Sequence, residues 1–173
     1  MMESILDSCG EPRVEEVENY IEEVAMLIPV YVPDGGDMTK IVLRTGESWY
    51  DPRPVPAVLK GIARYFGVDL TALRERYGEI LGKRLNVPLP LSPHLVLTPL
   101  KMRQPCVPKD GTTGYVTTQC VERVVPNVDG AGCRIVCGNV AAECLQSAEF
   151  AMQQMRHARI VQAFYKQRMK LTV

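Results

Sequence analysis

The chain has 173 residues, 46% of them apolar, with 20 Lys and Arg against 20 Asp and Glu. That length suits one domain with a real hydrophobic core, and that composition excludes disorder as the dominant state. The zero net charge argues against a bulk polyanion binder but conceals a gradient: residues 1–23 hold eight acids and one base, whereas residues 99–173 hold ten bases and five acids.

The first 13 residues are acidic and read as loosely held. An acidic start is unlike a secretion signal, and the longest apolar run, 24–32, is interrupted by Pro29. A cytoplasmic protein with no membrane contact is the expectation. Val14, Val17, Ile21, Val24 and Ile28 recur at steps of three and four, which predicts a helix over 14–28. Residues 26–32 are also β-like. With a Pro-Asp-Gly-Gly-Asp turn at 33–37 and a strand at 39–44 they form a predicted hairpin. Residues 46–56, with three prolines and Trp49, read as an ordered loop.

A short helix is predicted over 57–66, stopped by Gly67, with Leu59, Ile62, Ala63 and Phe66 inward. Asp69 caps the next helix, whose buried face is Leu70, Leu73, Tyr77, Ile80 and Leu81, and Gly82 ends it. The proline-stiffened stretch 87–93 reads as an extended connector between an N-terminal subregion, 14–86, and a β-rich one, 87–173. Strands follow at 95–100 and 115–125, separated by a polar loop over 101–113. A turn at 127–132, a strand at 133–137, a Gly138-Asn139 hairpin turn and a returning strand at 140–145 come next. Ser147 caps a final helix over about 148–170. Strands and helices do not alternate regularly, so a parallel sheet is disfavoured. The predicted architecture is α+β, one domain over 1–173: an antiparallel β core, two short central helices and a long C-terminal helix.

Six cysteines stand at 9, 106, 120, 133, 137 and 144. Without a secretion signal, reduced thiols in apolar surroundings fit better than disulfides. Cys133 and Cys137 share a strand face, but a second ligand pair with zinc-ribbon spacing is missing, so no metal is assigned. Two histidines, neither beside a nucleophile, and no phosphate-loop glycine pattern argue against an enzyme and imply no cofactor.

The final helix carries the clearest chemistry. At 100° per residue, Arg159, Lys166 and Lys170 fall within about 80° of Arg156. Ala151, Met155, Ala158, Val161, Tyr165 and Met169 occupy another arc. One arc reads as core. The other is either a solvated face or a strip of phosphate contacts. A second basic cluster is Lys101, Arg103 and Lys109 on the 101–113 loop, with Arg123 on the following strand. Hydroxyls and glycines around it suit phosphate binding, or simply an exposed polar loop.

The order of landmarks resembles the ComK-type competence transcription factors over about residues 19–168. The likeness rests on Ala63-Arg-Tyr-Phe-Gly67 and on the proline-rich strand entry from Val87 to Pro99. It continues through Gly114-Tyr-Val116, the Gly/Asn turn after Cys133 and the Ser-opened helix from Ser147 to Arg156. Tyr115 stands where the family usually shows Trp, and the Gly-Arg that often follows the aromatic-Gly block is absent. The resemblance implies a non-enzymatic, sequence-specific regulator that binds AT-rich double-stranded DNA, largely through the minor groove, as an oligomer. The alternative is a protein–protein interaction domain, suggested by Met152, Met155, Met169 and Trp49.

Overall fold

The computed structural model describes residues 10–32 and 36–170; the first three residues of the turn expected at 33–37 and residues 1–9, Cys9 among them, lie outside these, and Gly36 and Asp37 of that turn belong to a strand. Six strands form the main sheet: β1 (Val24–Val32), β2 (Gly36–Leu43), β3 (Ser48–Asp51), β4 (Leu89–Ser92), β5 (Leu95–Lys101) and β6 (Thr113–Thr117). Their order is β3-β2-β1-β6-β5-β4, all antiparallel. A second sheet joins β7 (Arg123–Pro126), β8 (Cys133–Cys137) and β9 (Val140–Cys144). Among the described residues three α-helices complete the fold: α1 (Val55–Phe66), α2 (Leu70–Leu81) and α3 (Ala148–Arg168). The α+β architecture expected from the sequence is therefore the observed one.

The helix boundaries follow from local chemistry. Asp69 accepts a hydrogen bond from the Ala72 amide at 2.8 Å, and Ser147 accepts one from the Phe150 amide at 3.1 Å. Each satisfies an amide that the first helical turn leaves without a partner. Gly67 and Gly82 close α1 and α2 in the left-handed region, φ 67° and 69°, which costs a glycine little.

Four expectations are corrected. Residues 14–28 do not form a helix: a short 3-10 turn over Val17–Asn19 leads into β1. The three-to-four spacing there coincides with a β-prone run that gains partners on both edges, and pairing outweighs periodicity. The loop at 46–56 contains β3, in which Trp49 pairs with Ile41 and is buried. The connector at 87–93 contains β4, paired with β5. It therefore does not separate an N-terminal from a C-terminal subregion: β1–β3 come from one and β4–β6 from the other, in one continuous sheet. Finally, the strand expected over 115–125 is broken by a 3-10 turn at Thr118–Cys120 and continues as β7 in the other sheet. Three side chains explain the break. Thr117 Oγ1 donates to the Val24 carbonyl at 2.8 Å, Thr118 Oγ1 donates to the Val96 carbonyl at 3.0 Å, and Gln119 Oε1 accepts from the Val96 amide at 3.2 Å. Side-chain groups thus take backbone partners that a longer ladder would use.

Both faces of the main sheet are covered. Leu27, Ile41, Leu43, Leu89, Leu97 and Tyr115 share a core with Val58, Leu59 and Ile62 of α1. Met26, Val42, Leu100 and Val116 share another with Ile135 and Cys137 of the small sheet and with Ala151 and Met155 of α3. This explains why every residue of 95–100, Thr98 included, is buried rather than alternating between core and solvent. On α2 the expected buried face is only partly realised: Tyr77 is buried, and Ile80 is exposed.

Gln154 secures α3 from within. Its Nε2 donates to the carbonyls of Asn86 and Pro99, at 2.9 and 3.0 Å, and its Oε1 accepts from Lys83 Nζ at 2.5 Å. Both ends of this fully buried amide are engaged, so α3 has one seating against the α2–β4 loop and β5.

The cysteines of the described residues are free thiols. Cys120 and Cys137 have sulfurs 3.0 Å apart, and Cys133 lies opposite Cys144 across β8 and β9. Burial pushes Cys133 up to about 12, and the thiol–thiol contact pushes Cys137 up and Cys120 down. No cluster of three or more His, Cys, Asp or Glu suited to a metal occurs among the described residues. No described helix is long and apolar enough to cross a membrane.

The seam between β1 and β6 pairs only Met26 with Val116 and Leu27 with Tyr115. It ends short of Pro29, which has no amide proton to donate. A Cβ on Gly114 would lie 2.8 Å from the Leu27 carbonyl oxygen and against Met102 Sδ, whereas one on Gly111 would meet nothing within 4 Å. Gly114→Ala should therefore cost about 1–3 kcal/mol by overpacking, while Gly111→Ala stays within about 0.5 kcal/mol of the parent. Urea unfolding of the two variants measures the difference, and equal midpoints would contradict the tight seam.

Candidate nucleic-acid interface

Three of the basic residues singled out by the sequence come together. Arg123 on β7, with Arg156 and Arg159 on α3, lines one groove of about 290 Å³. Its remaining wall includes Thr118, Glu122, Met152 and Met155. The three arginines are exposed, and none joins an ion pair or side-chain hydrogen bond among the described residues. Glu122 is the one acid in the wall, and it forms no salt bridge with them. Arg156 and Arg159 are neighbours on the helix surface at i, i+3, and β7 packing on α3 brings Arg123 beside them.

Other members of the expected set are placed elsewhere. Lys166 lies on α3 and is half-buried. Lys170 is not on the helix: α3 ends at Arg168, and Lys170 adopts a left-handed conformation, φ 55°, beyond it. The four-residue basic strip thus loses its last member. Lys101 and Lys109 do not line the groove; Lys109 is exposed on its loop, and the Lys101 backbone is bonded to Gln146 and Leu145.

Arg103 is the clearest departure. Its side chain is 7% exposed and points inward. Nη1 donates to Asp37 Oδ1 at 2.6 Å and to the Val30 carbonyl at 3.2 Å, and Nε and Nη2 both donate to the Gly111 carbonyl. The guanidinium also stacks on Tyr31, 4.2 Å from its ring centre. Tyr31 in turn donates to Asp110 at 2.6 Å and accepts from the Cys106 amide at 2.9 Å. Arg103 therefore staples the 101–113 loop to the ends of β1 and β2 and presents no charge to a ligand from that loop. Sequence alone cannot tell a guanidinium aimed at phosphate from one aimed at a carboxylate 66 residues away.

His157 follows Arg156 on α3. Its Nδ1 is buried without a hydrogen-bond partner, and its Nε2 lies 3.4 Å from Gln153 Nε2. Burial, then Lys83 and Arg156, holds its pKa below the ordinary imidazole value. The ring is neutral at pH 7 and adds no charge to the basic face.

Comparison with family models, curated proteins and solved structures returns no match to this chain.

Arg103→Ala removes a buried cation and strands Asp37 and the Gly111 carbonyl, so it should cost about 2–4 kcal/mol in urea unfolding. Lys109→Ala should change stability by less than about 0.5 kcal/mol; a neutral Arg103→Ala would contradict the staple. For His157 the sign is set by its lowered pKa. The unfolded chain takes the proton near pH 6.5, the folded chain only at lower pH. This contribution to stability is whole above pH 6.5 and is lost as pH falls through that window toward the folded value. The fall in unfolding midpoint between pH 7.5 and 5.5 should be smaller in His157→Gln than in the parent.

Proposed function

We propose that this chain is a non-enzymatic DNA-binding regulator that grips the phosphate backbone of AT-rich duplex DNA through the groove between β7 and α3. The observation that supports it most is the convergence of Arg123, Arg156 and Arg159, drawn from two elements, in no ion pair, and facing a single acid, Glu122, in the groove wall. Three unpaired guanidinium groups on one concave surface repel one another, and a polyanion relieves that repulsion. Arginine is also the side chain that best exploits the narrow, negative minor groove of AT-rich DNA. The likeness to ComK-type regulators points to the same ligand. Lys166 and Lys170 extend the contact along and past α3. Lys101 and Lys109 are not needed for it, and Arg103 has no role in it.

A second reading has its own observation. Met152, Ile160 and Phe164 are exposed on α3 at 43%, 43% and 45%; Ile160 and Phe164, at i, i+4, form a short apolar stripe, and Met152 lies among the arginines in the groove wall. That apolar stripe suits a protein partner or a second copy, whereas two residues that first suggested such a role, Trp49 and Met155, are buried in the core.

Fluorescence anisotropy with AT-rich and GC-rich duplexes across a salt series separates the readings. Five phosphate contacts predict a slope of log K against log salt of about −4 to −5, with tighter binding to the AT-rich duplex. Replacing Arg123, Arg156 and Arg159 together by Ala should bring the slope about 3 units closer to zero. No binding to either duplex at low salt would end the DNA proposal and leave the apolar stripe as the functional surface.

A further inference from the structure

A second and larger concavity, about 930 Å³, lies on the opposite side of the main sheet, between the helices α1 and α2 and the strands β1 and β6. Its volume is in the range of small-molecule sites. Its charge is one-sided. Lys60 and Arg64 stand at i, i+4 on α1, and Arg74 reaches in from α2. Lys60 and Arg64 have no ion pair or side-chain hydrogen bond among the described residues, and Arg74 touches only the Tyr115 hydroxyl, at 3.4 Å. The two acids of the cleft do not balance its cations: Asp37 is paired with Arg103, which also lines the cleft, and Asp69, the cap of α2, leaves one carboxylate against Lys60, Arg64 and Arg74. Three cations outside any ion pair therefore face one cavity that holds a single unpaired carboxylate, Asp69.

The rest of the lining is mostly carbon. Val68 and Leu70, half-buried, form an apolar wall beside Tyr115, with Leu59 buried behind it. A bare inorganic anion would leave that wall wet, and an uncharged apolar molecule would leave the cations uncompensated. A duplex is too broad to enter a cavity of this size. The chemistry that meets both halves is a flat apolar body carrying a multiply charged phosphate tail. Arg64 and Arg74 offer the planar forks that pair two-to-two with phosphate oxygens, and Lys60 adds a point charge.

We propose that this cleft binds a nucleoside phosphate, with the phosphates held by Lys60, Arg64 and Arg74 and the base laid against Val68 and Leu70. This site is separate from the β7–α3 groove, so it goes beyond the DNA reading and does not depend on it.

Isothermal titration of the full chain with ATP, GTP, CTP and UTP, and with tripolyphosphate and the four parent nucleosides, tests the proposal. At least one triphosphate should bind, and tripolyphosphate and the matching nucleoside should each bind at least tenfold more weakly. Arg64→Ala and Arg74→Ala should each weaken that triphosphate at least tenfold. Both residues are exposed, so the urea midpoint should not move. The Arg123, Arg156 and Arg159 triple variant should keep full triphosphate affinity, so failure here is distinguishable from failure of the DNA reading. No binding of any of the four at about 1 mM, tripolyphosphate binding as tightly as the best triphosphate, or unchanged affinity in both single variants would each overturn it.

Discussion

The seam between β1 and β6 is what the rest of the molecule depends on. Two paired residues on each strand and one buried hydroxyl, Thr117 to the Val24 carbonyl, join the N-terminal three strands to the C-terminal three. Without that joint there are two sheets of three strands, each with an exposed edge and an unsupported apolar face. With it there is a single sheet wide enough to carry α1 and α2 on one face and the small sheet with α3 on the other. Gly114 permits the approach, because any larger residue there would collide with the Leu27 carbonyl and Met102.

That arrangement distributes the positive charge. The tail half of the chain carries more base than acid, but folding divides its cations by role. Arg103 is committed inside the protein to Asp37 and to backbone carbonyls, where its loss would strand buried polar groups. Arg134 is paired with Glu143 across β8 and β9. Arg123, Arg156 and Arg159 remain unpaired in one groove. On the far side of the sheet, Lys60, Arg64 and Arg74, from the nearly neutral middle of the chain, converge on the larger cleft. Net charge per segment would direct attention to the tail alone, whereas pairing in three dimensions shows two unbalanced positive surfaces.

The two surfaces differ in what they exclude. The β7–α3 groove is small in volume and flanked by an exposed apolar stripe, which suits an extended partner. The α1–α2 cleft is more than three times as large and backed by carbon, which suits a compact one. Both sit on rigid supports: Gln154 seats α3 through three buried hydrogen bonds, and the left-handed closures at Gly67 and Gly82 set the ends of α1 and α2.

What the sequence determined by itself was local. Asp69, Ser147, Gly67 and Gly82 act within three or four residues of themselves, and they marked the helices correctly. The Gly138-Asn139 turn placed β8 and β9 for the same reason. Tertiary structure alone decided whatever needed a distant partner. Residues 14–28 carry a helical spacing, but β1 forms because β2 and β6 offer it edges. The 115–125 run breaks because Thr117 and Thr118 find carbonyls on β1 and β5. Arg103 turned inward because Asp37, 66 residues earlier, stands beside it. Charge and periodicity are properties of neighbours in the chain, whereas an ion pair, a strand edge or a cleft is a property of neighbours in space.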